Sequence, residues 1–513
     1  MKRVHPVALV ILDGFGYSPE SRYNSIAHAN MPHFNYWWQH YPHALLCAAG
    51  KFVGLPDDLH GNSEVGHCTI GAGRIVDQPI KIWRKSIEDG SFAHNIIMIE
   101  QFKKLCDAGG ALHIMGLLSD AGVHAHEKEI YATIAAAAAS GIKKIIIHPF
   151  LDGRDAPPQS AYSYMHRLVE YIKHYNTASS QVIIGSIHGR FYAMDRDGNW
   201  DRIEKSYRVL TCQKHAEPDE AWEKVLERNY AQGITDEFIP PTRLCIDGII
   251  HNGDGIFFCN VRPDRARELT RCFVQPHDGV KFTHFILKPL ILTFFVTPIE
   301  YDVLLPTTVL FSREPLYNTL KDVLAAHNKT IFTIAETEKY AHVTYFFRGE
   351  NEDVVSTETR TMIPSLHVDS YRDFPEMSAA GITLAVLNSL QTAPYDFYLI
   401  NYANADMVGH SGDFDATIKA VEFLDTQLQM VYEEIVQKND GTLYIMSDHG
   451  KAEQMFDEST GQPYTAHTSN VVPFIMITQE LKDKNVAMPL DQLAQVAAFI
   501  LHNMGLPVPD EMI

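Results

Sequence analysis

Three stretches, VALVILDG (Val7–Gly14), DFYLINYANADMVGH (Asp396–His410) and TLYIMSDHG (Thr442–Gly450), decide the reading of this 513-residue chain. Each is a short apolar run that ends on an acidic residue, and two of the endings add histidine. An apolar run of this length, bounded by polar residues, reads as a strand buried on both faces of a sheet. Open α/β sheets place ligands and catalytic groups at the C-terminal ends of such strands. The pattern therefore predicts that Asp13, Asp406, His410, Asp448 and His449 converge on one sheet edge. Mixed carboxylate and imidazole ligands at that edge point to a divalent-metal enzyme.

Between the first and second stretches lies another set of strand endings with different chemistry. LHIMGLLSDAGVHAH (Leu112–His126), KKIIIHPFLDGRD (Lys143–Asp155), QVIIGSIHGR (Gln181–Arg190) and GIFFCNVRPDR (Gly255–Arg265) also run from apolar to polar. Their ends, with the loop after Arg190, carry Arg154, Arg190, Arg196, Arg262 and Arg265 together with His124 and Asp155. Helix-like segments alternate with the strands, among them Glu127–Ala139, Ala161–Tyr175, Pro218–Tyr230, Ala416–Lys438 and Leu490–Met504. This alternation favours α/β architecture with largely parallel sheets. Two kinds of ending imply two α/β domains: a discontinuous outer domain, residues 1–76 and 308–513, and an inserted one, 77–307 including linkers. The crossings are expected near Ile75–Pro79 and Tyr301–Thr308.

Length alone requires more than one core. Hydrophobic residues at 46% and charged residues at 21% are ordinary globular values. A net charge of -20 argues against a general binder of nucleic acid or anionic membrane, so an anionic substrate would need locally concentrated arginines. The seven cysteines form no CxxC pair and read as free thiols of a reducing compartment. The apolar run after Lys2 and Arg3 stops at Asp13, too short for a signal peptide. Phe285–Val296 is interrupted by Lys288 and Pro289 and falls short of a membrane span. A cytoplasmic chain with no nucleic-acid or membrane partner is expected.

Asp406 and His410 stand four apart and share a face if the segment is helical. Asp448 and His449 are adjacent, point apart, and so can serve two ions. His467, in AHTSNVVPF (Ala466–Phe474), can complete one coordination sphere. Imidazole ligands shift the metal preference from magnesium toward manganese, zinc or cobalt. Two ions about 4 Å apart clamp the attacking and leaving oxygens of a phosphoryl displacement. Taken singly, an Asp after a strand is commonly a cap or turn residue and a lone His a structural one. Three strand endings with the same chemistry favour a site. The nucleophile candidate is Ser63, set among glycines in GLPDDLHGNSEVGHCTIGAGR (Gly54–Arg74). A serine hydroxyl needs a base or metal to remove its proton, and Lys339 in AETEKY can steady the alkoxide. The competing reading is a glycine-rich turn with an incidental serine.

Eight motifs then occur in order: GNSEVGHCTIGAGR, LLSDAGVHAH, FLDGRDAPP, HGRFYAMDRDGNWDR, VRPDRAREL, AETEKYAHVTYFF, YANADMVGHSGD and MSDHGKAEQM. Together they resemble the 2,3-bisphosphoglycerate-independent phosphoglycerate mutases of the alkaline-phosphatase superfamily, over about Ala8–Phe474. The resemblance implies an alkaline-phosphatase-like domain interrupted by an inserted transferase domain. It implies Asp406, His410 and His467 as ligands of one divalent metal, and Asp13, Ser63, Asp448 and His449 as ligands of a second. Manganese is favoured, with zinc, cobalt and magnesium as alternatives, and no bisphosphoglycerate is required. Ser63 would also be the phosphoryl acceptor. His124, Arg154, Asp155, Arg190, Arg196, Arg262, Arg265 and Lys339 would bind the small-molecule substrate, 3-phosphoglycerate or 2-phosphoglycerate, in a monomer. The chain departs from the family at Val261, where an aromatic residue is usual, and in FRGENE after Phe346. Phe273–Leu305 is also more apolar than expected.

On this reading Ser63 attacks the substrate phosphate in line, and the glycerate is held, reoriented and rephosphorylated on its other hydroxyl. Arginines suit the holding step because guanidinium binds carboxylate and phosphate in bidentate fashion. Asp155 is the candidate proton shuttle. Closure of the inserted domain is expected to exclude water. Metal binding should weaken at mildly acidic pH as ligands protonate. The alternatives are a metal-dependent phosphomonoester hydrolase and an inactive binding protein on the same scaffold.

Overall fold

A strand with no polar face must be covered on both sides, and Val7–Leu12 is: Ala8 through Leu12 have no solvent exposure. Its neighbours come from the far end of the chain. Numbered along the sequence, the strands of this computed structural model begin with β1 (Val7–Leu12), β2 (His43–Leu46), β3 (Leu112–Leu118), β4 (Lys144–Leu151) and β5 (Gln181–Ile184). Then follow β6 (Ser186–Gly189), β7 (Thr242–Arg243), β8 (Gly255–Phe258), β9 (Phe294–Thr297), β10 (Thr308–Val309) and β11 (Ile331–Glu336). The last are β12 (Glu358–Ile363), β13 (Phe397–Tyr402), β14 (Thr442–Met446), β15 (Phe456–Asp457), β16 (Gln462–Pro463) and β17 (Val472–Ile477). The structure describes residues 5–57, 59–177, 180–212, 220–274, 281–312, 315–368, 370–458, 461–484 and 486–513.

The chain divides into two compact units, Met1–Gln78 with Glu314–Ile513, and Pro79–Arg313. The first holds a seven-stranded sheet in the order β12-β11-β13-β1-β14-β17-β2. Its strands from β12 to β14 are parallel, and β17 and β2 add antiparallel pairings at one side. The register opposes Leu12 to Tyr402 and Ile11 to Met446, so the residues that follow β1, β13 and β14 emerge level with one another. Val10 and Leu12 pack with Tyr398, Ile400, Ile445 and Leu424 in the core of this unit.

The second unit holds a sheet in the order β10-β9-β8-β3-β4-β6-β7, with β5 also on β4. All its pairings are parallel except β6 with β7. Of the apolar Phe273–Leu305 stretch, the described part from 281 onward coats this unit's core: Phe282, Phe285, Leu287, Leu290 and Leu292 lie against it. The Tyr207 hydroxyl donates to Lys288 O and accepts from Lys288 N, both at 3.2 Å, and so anchors the segment's backbone. Among the described residues no helix is long and apolar enough to cross a membrane.

The helix expected over Ala161–Tyr175 ends at Lys173, and three others differ in their bounds or geometry. The helix expected from Pro218 starts at Trp222, and Pro218 and Asp219 lie outside the described residues. The helix of Phe414–Tyr432 continues as a π-turn over Glu433–Lys438. The last helix begins at Val496, because Asp491 and Gln492 are extended beside Cys47, whose N–H donates to Asp491 O at 2.7 Å.

Candidate metal and nucleophile site

Ser63 opens the helix Ser63–Ala72, capped by Asn62, whose side chain accepts the Val65 N–H. Two glycines allow the loops around it to close in. A Cβ on Gly66 would lie 2.6 Å from the Asp448 carbonyl oxygen, and one on Gly14 would lie 2.8 Å from Asp406 Cα. The Ser63 hydroxyl donates to Asp13 Oδ1 at 2.9 Å and lies 3.0 Å from His449 Nε2. Lys339, in the turn that ends β11, donates to Ser63 Oγ at 2.7 Å, Asp13 Oδ1 at 2.7 Å and Asp406 Oδ2 at 2.6 Å. Four segments of the first unit thus meet on one buried hydroxyl.

Asp406 and His410 begin and end one helical turn after β13, and His467 reaches the same place from the loop before β17. His410 Nε2 and His467 Nε2 each lie 3.2 Å from Asp406 Oδ1. That oxygen and Asp448 Oδ2 are buried and accept no well-aligned hydrogen bond. An orphaned buried carboxylate oxygen is costly unless a cation answers it. Among the described residues, three groups of ligand atoms are close enough to hold one ion each: Asp406 with His410 and His467; Asp13 with His67 and Asp448; and Asp13 with Asp406 and His449. The donor set, nitrogen with carboxylate oxygen, fits divalent cations of the manganese-to-zinc series.

Charge state follows from the same contacts. Burial opposes ionisation of Asp13, but the Lys339 ammonium and the His449 ring overcome it and hold the carboxyl well below its usual range. Asp406 behaves alike: burial is outweighed by Lys339 and by hydrogen-bonding contacts with His410 and His467. Burial also opposes the charge on Lys339, yet Asp13 and Asp406 hold the ammonium above its ordinary value. His449 is raised to about 9, its burial outweighed by Asp448, Asp13 and Asp406. His467 is pushed down to about 4, chiefly by burial and by the charge on His449.

Two residues absent from the sequence reading belong to this cluster. His67 lies one turn after Ser63, with Nδ1 2.8 Å from Ser63 O and 3.0 Å from Asp448 Oδ2. Asn401, inside β13, donates to Asp13 Oδ2 at 2.9 Å and lies 3.0 Å from His67 Nε2. The available signals were an i, i+4 spacing from Ser63 and a lone amide within an apolar strand.

The second unit gathers the other candidates. Arg190 is buried at the end of β6 and donates to Asp152 Oδ1 at 2.8 Å and Asp155 Oδ2 at 2.5 Å. His124 lies between acids, 4.0 Å from Asp155 and 3.8 Å from Asp264, yet burial and then Arg262, Arg190 and Arg265 push it down to about 2. Arg196 donates to Asp264 Oδ2 at 2.8 Å, and Arg262 Nε is 3.7 Å from Asp264 Oδ1. Arg265 is lowered by burial and by the charges of Arg196, Arg190 and Arg154. Arg154 itself faces Glu237 at 3.5 Å. A cationic cluster in so acidic a chain is suited to a small anion.

Residues 83–303 match the family model described as the BPG-independent PGAM N-terminus. A 2,3-bisphosphoglycerate-independent phosphoglycerate mutase of Legionella pneumophila is 44% identical over 508 residues, 99% of this chain and 96% of that protein. The enzyme of the same description from Clostridium novyi is 44% identical over 512 residues, 99% of this chain and 98% of that one. A crystal structure of Leishmania mexicana phosphoglycerate mutase, at low cobalt concentration, aligns over 99% of this chain and 97% of that one, with a TM-score of 0.76 and 30% identity. On the strength of that near-full-length identity, the chain belongs to the 2,3-bisphosphoglycerate-independent phosphoglycerate mutases.

Proposed function

We propose that the phosphoglycerate mutase reaction of this chain, interconversion of 3-phosphoglycerate and 2-phosphoglycerate, runs through a phosphoryl group carried on Ser63. The observation that carries this is the contact of one buried hydroxyl with Lys339, Asp13 and His449 at 2.7, 2.9 and 3.0 Å. Asp406, His410 and His467 would hold one divalent cation, manganese for preference, and Asp13, Ser63, Asp448 and His449 a second. Such cations lower the pKa of the serine hydroxyl and neutralise charge on the transferring phosphoryl group. Asp13 takes up the hydrogen bond of the Ser63 hydroxyl and aligns its lone pair for in-line attack. Lys339 donates to the oxygen on which charge develops. In the second unit, Arg190, Arg196, Arg262 and Arg265, with Arg154 and His124, bind the carboxylate and phosphate of the substrate. Asp155, held by Arg190, moves the proton of the glycerate hydroxyl as each ester forms or breaks. The chain acts without bisphosphoglycerate, in the reducing cytoplasm suited to a set of cysteines with no CxxC motif.

The test is conversion of 3-phosphoglycerate to 2-phosphoglycerate by chelator-stripped protein, with and without manganese, following inorganic phosphate in the same tube. Manganese-dependent isomerisation with little phosphate release, abolished by Ser63→Ala, is expected. Phosphate release without isomerisation would overturn the mutase reading in favour of a hydrolase, and isomerisation by Ser63→Ala would remove the phosphoserine.

A further inference from the structure

Glu453 lies four residues after His449, is 2% exposed, and has no part in the chemistry above. Its carboxylate accepts four hydrogen bonds from three separate loops. Gly16 N donates to Oε2 at 3.1 Å and Lys451 N at 2.7 Å. The Thr468 hydroxyl and Asn470 Nδ2 donate to Oε1, the second at 3.0 Å. Gly16 lies three residues after Asp13, Lys451 two after His449, and Thr468 directly after His467. The acceptor capacity of one buried side chain is therefore divided among the three loops that carry candidate ligands. The contact is close: a side chain on Gly16 or Gly450 would collide with the Glu453 carboxylate. The backbone of the His467 loop meets the β14 loop at the bridge of Gly450 with Thr468 and again where Tyr464 N donates to Met455 O at 3.0 Å, and the side chains of Thr468 and Asn470 are tied to it by the Glu453 carboxylate.

We propose that Glu453 is a positioning residue that fixes the His467 loop against the loops of Asp13 and His449, and so sets the site's affinity for a divalent cation. The inference rests on the metal site proposed above. A histidine ligand held on a wandering loop loses binding free energy to ordering, and outer-sphere partners of metal ligands commonly govern affinity in this way. Thr468→Val deletes the hydroxyl while keeping the shape of the side chain. Glu453→Gln keeps an acceptor for Gly16 and Lys451 but turns a donor toward Thr468 and Asn470.

Manganese chloride is titrated calorimetrically into chelator-stripped, full-length wild-type, Thr468→Val and Glu453→Gln proteins, with melting in chelator as the control for folding. The variants are expected to bind one of two ions roughly tenfold to a hundredfold more weakly. Their metal-free melting temperatures should stay close to wild type, KM for 3-phosphoglycerate should be unchanged, and kcat should recover at excess manganese. Wild-type affinity for both ions in Thr468→Val would overturn the proposal and leave the metal site standing. Absence of binding to the wild-type protein would overturn the metal site and the positioning role together. Should Glu453→Gln fail to fold, Thr468→Val decides.

Discussion

His410 and His467 present their Nε2 atoms to each other at 3.0 Å, while each Nδ1 faces a backbone carbonyl, Thr465 O for one and Gly61 O for the other. A neutral imidazole whose Nδ1 donates to a carbonyl presents its Nε2 lone pair to a metal. With Asp406 Oδ1 beside them, these atoms form a group that could hold one metal ion. Manganese at a hundredfold excess over its Kd should therefore stabilise the first unit by about 2.7 kcal/mol through mass action. Scanning calorimetry in chelator and in manganese reads this, and an equal rise in melting temperature for His467→Ala would sink the assignment.

Lys339 already places a positive charge among the carboxylates, against Asp13 and Asp406 at once. Its removal should leave two acids with more negative charge to offer a metal. Lys339→Met is expected to bind manganese at least as tightly as wild type while kcat falls roughly a hundredfold to a thousandfold, the scale of losing an oxyanion donor. Weaker manganese binding with intact turnover, measured by titration and a coupled assay, would reverse that assignment.

Arg190 and Arg262 separate stability from substrate binding. Arg190 is buried between Asp152 and Asp155, so Arg190→Met strands carboxylates and should cost roughly 3–5 kcal/mol of second-unit stability. Arg262 is about half exposed (49% for the side chain), and its ion pair with Asp264 is a long one at 3.7 Å, so Arg262→Ala should move stability by less than about 1 kcal/mol. Its effect is expected in KM for 3-phosphoglycerate. Urea unfolding and steady-state kinetics on the pair test this; an Arg262→Ala protein with unaltered KM would take it out of the substrate cluster.

The α/β class was legible because β1, β13 and β14 are buried on both faces and therefore read as unbroken apolar runs that stop at their acids. The register that levels Asp13 with the ends of β13 and β14 is a tertiary fact, yet the strand endings implied it through the geometry of parallel sheets. His67 escaped because its signal is helical: it is placed by one turn of helix behind Ser63, and strand endings carry no information about it. Asn401 escaped because a single amide in a strand looks like an interruption until its partner, Asp13, is in view. The Phe273–Leu305 segment reads as an anomaly because its described residues 281–293 form no regular element, and their apolar content makes sense only against the core they cover.

A buried line of polar groups crosses the second sheet, and it sets an acid limit. His113 Nε2 lies 3.2 Å from Asp254, His113 Nδ1 2.9 Å from His148, and the Ser186 hydroxyl 2.7 Å from both His148 and His188. Burial lowers all three rings, His188 to about 3. Their folded pKa values lie below the unfolded value, so the unfolded chain binds more protons. Stability is complete above the unfolded value of about 6.5 and is lost as pH falls toward the folded values. At pH 4, His188 alone should account for roughly 3 kcal/mol. Hydrogen exchange in β3, β4 and β6 should accelerate on acidification, and His188→Gln should flatten that slope; the same slope in the variant would place the acid sensitivity elsewhere.

The central strand of the first sheet is made first and used last. β1 pairs with β13 on one side and β14 on the other, whose residues follow it by most of the length of the chain. During synthesis it must therefore leave the ribosome as an apolar segment with no partner, while Pro79–Arg313, contiguous in sequence, can complete its own sheet. The inserted unit is thus in a position to fold during translation, and the first sheet must wait for Thr442–Met446 before its centre exists. Pairing of β1 with β13 and β14 therefore closes a loop that contains the whole second unit, and non-local closure of this kind slows folding and prolongs exposure of an apolar strand.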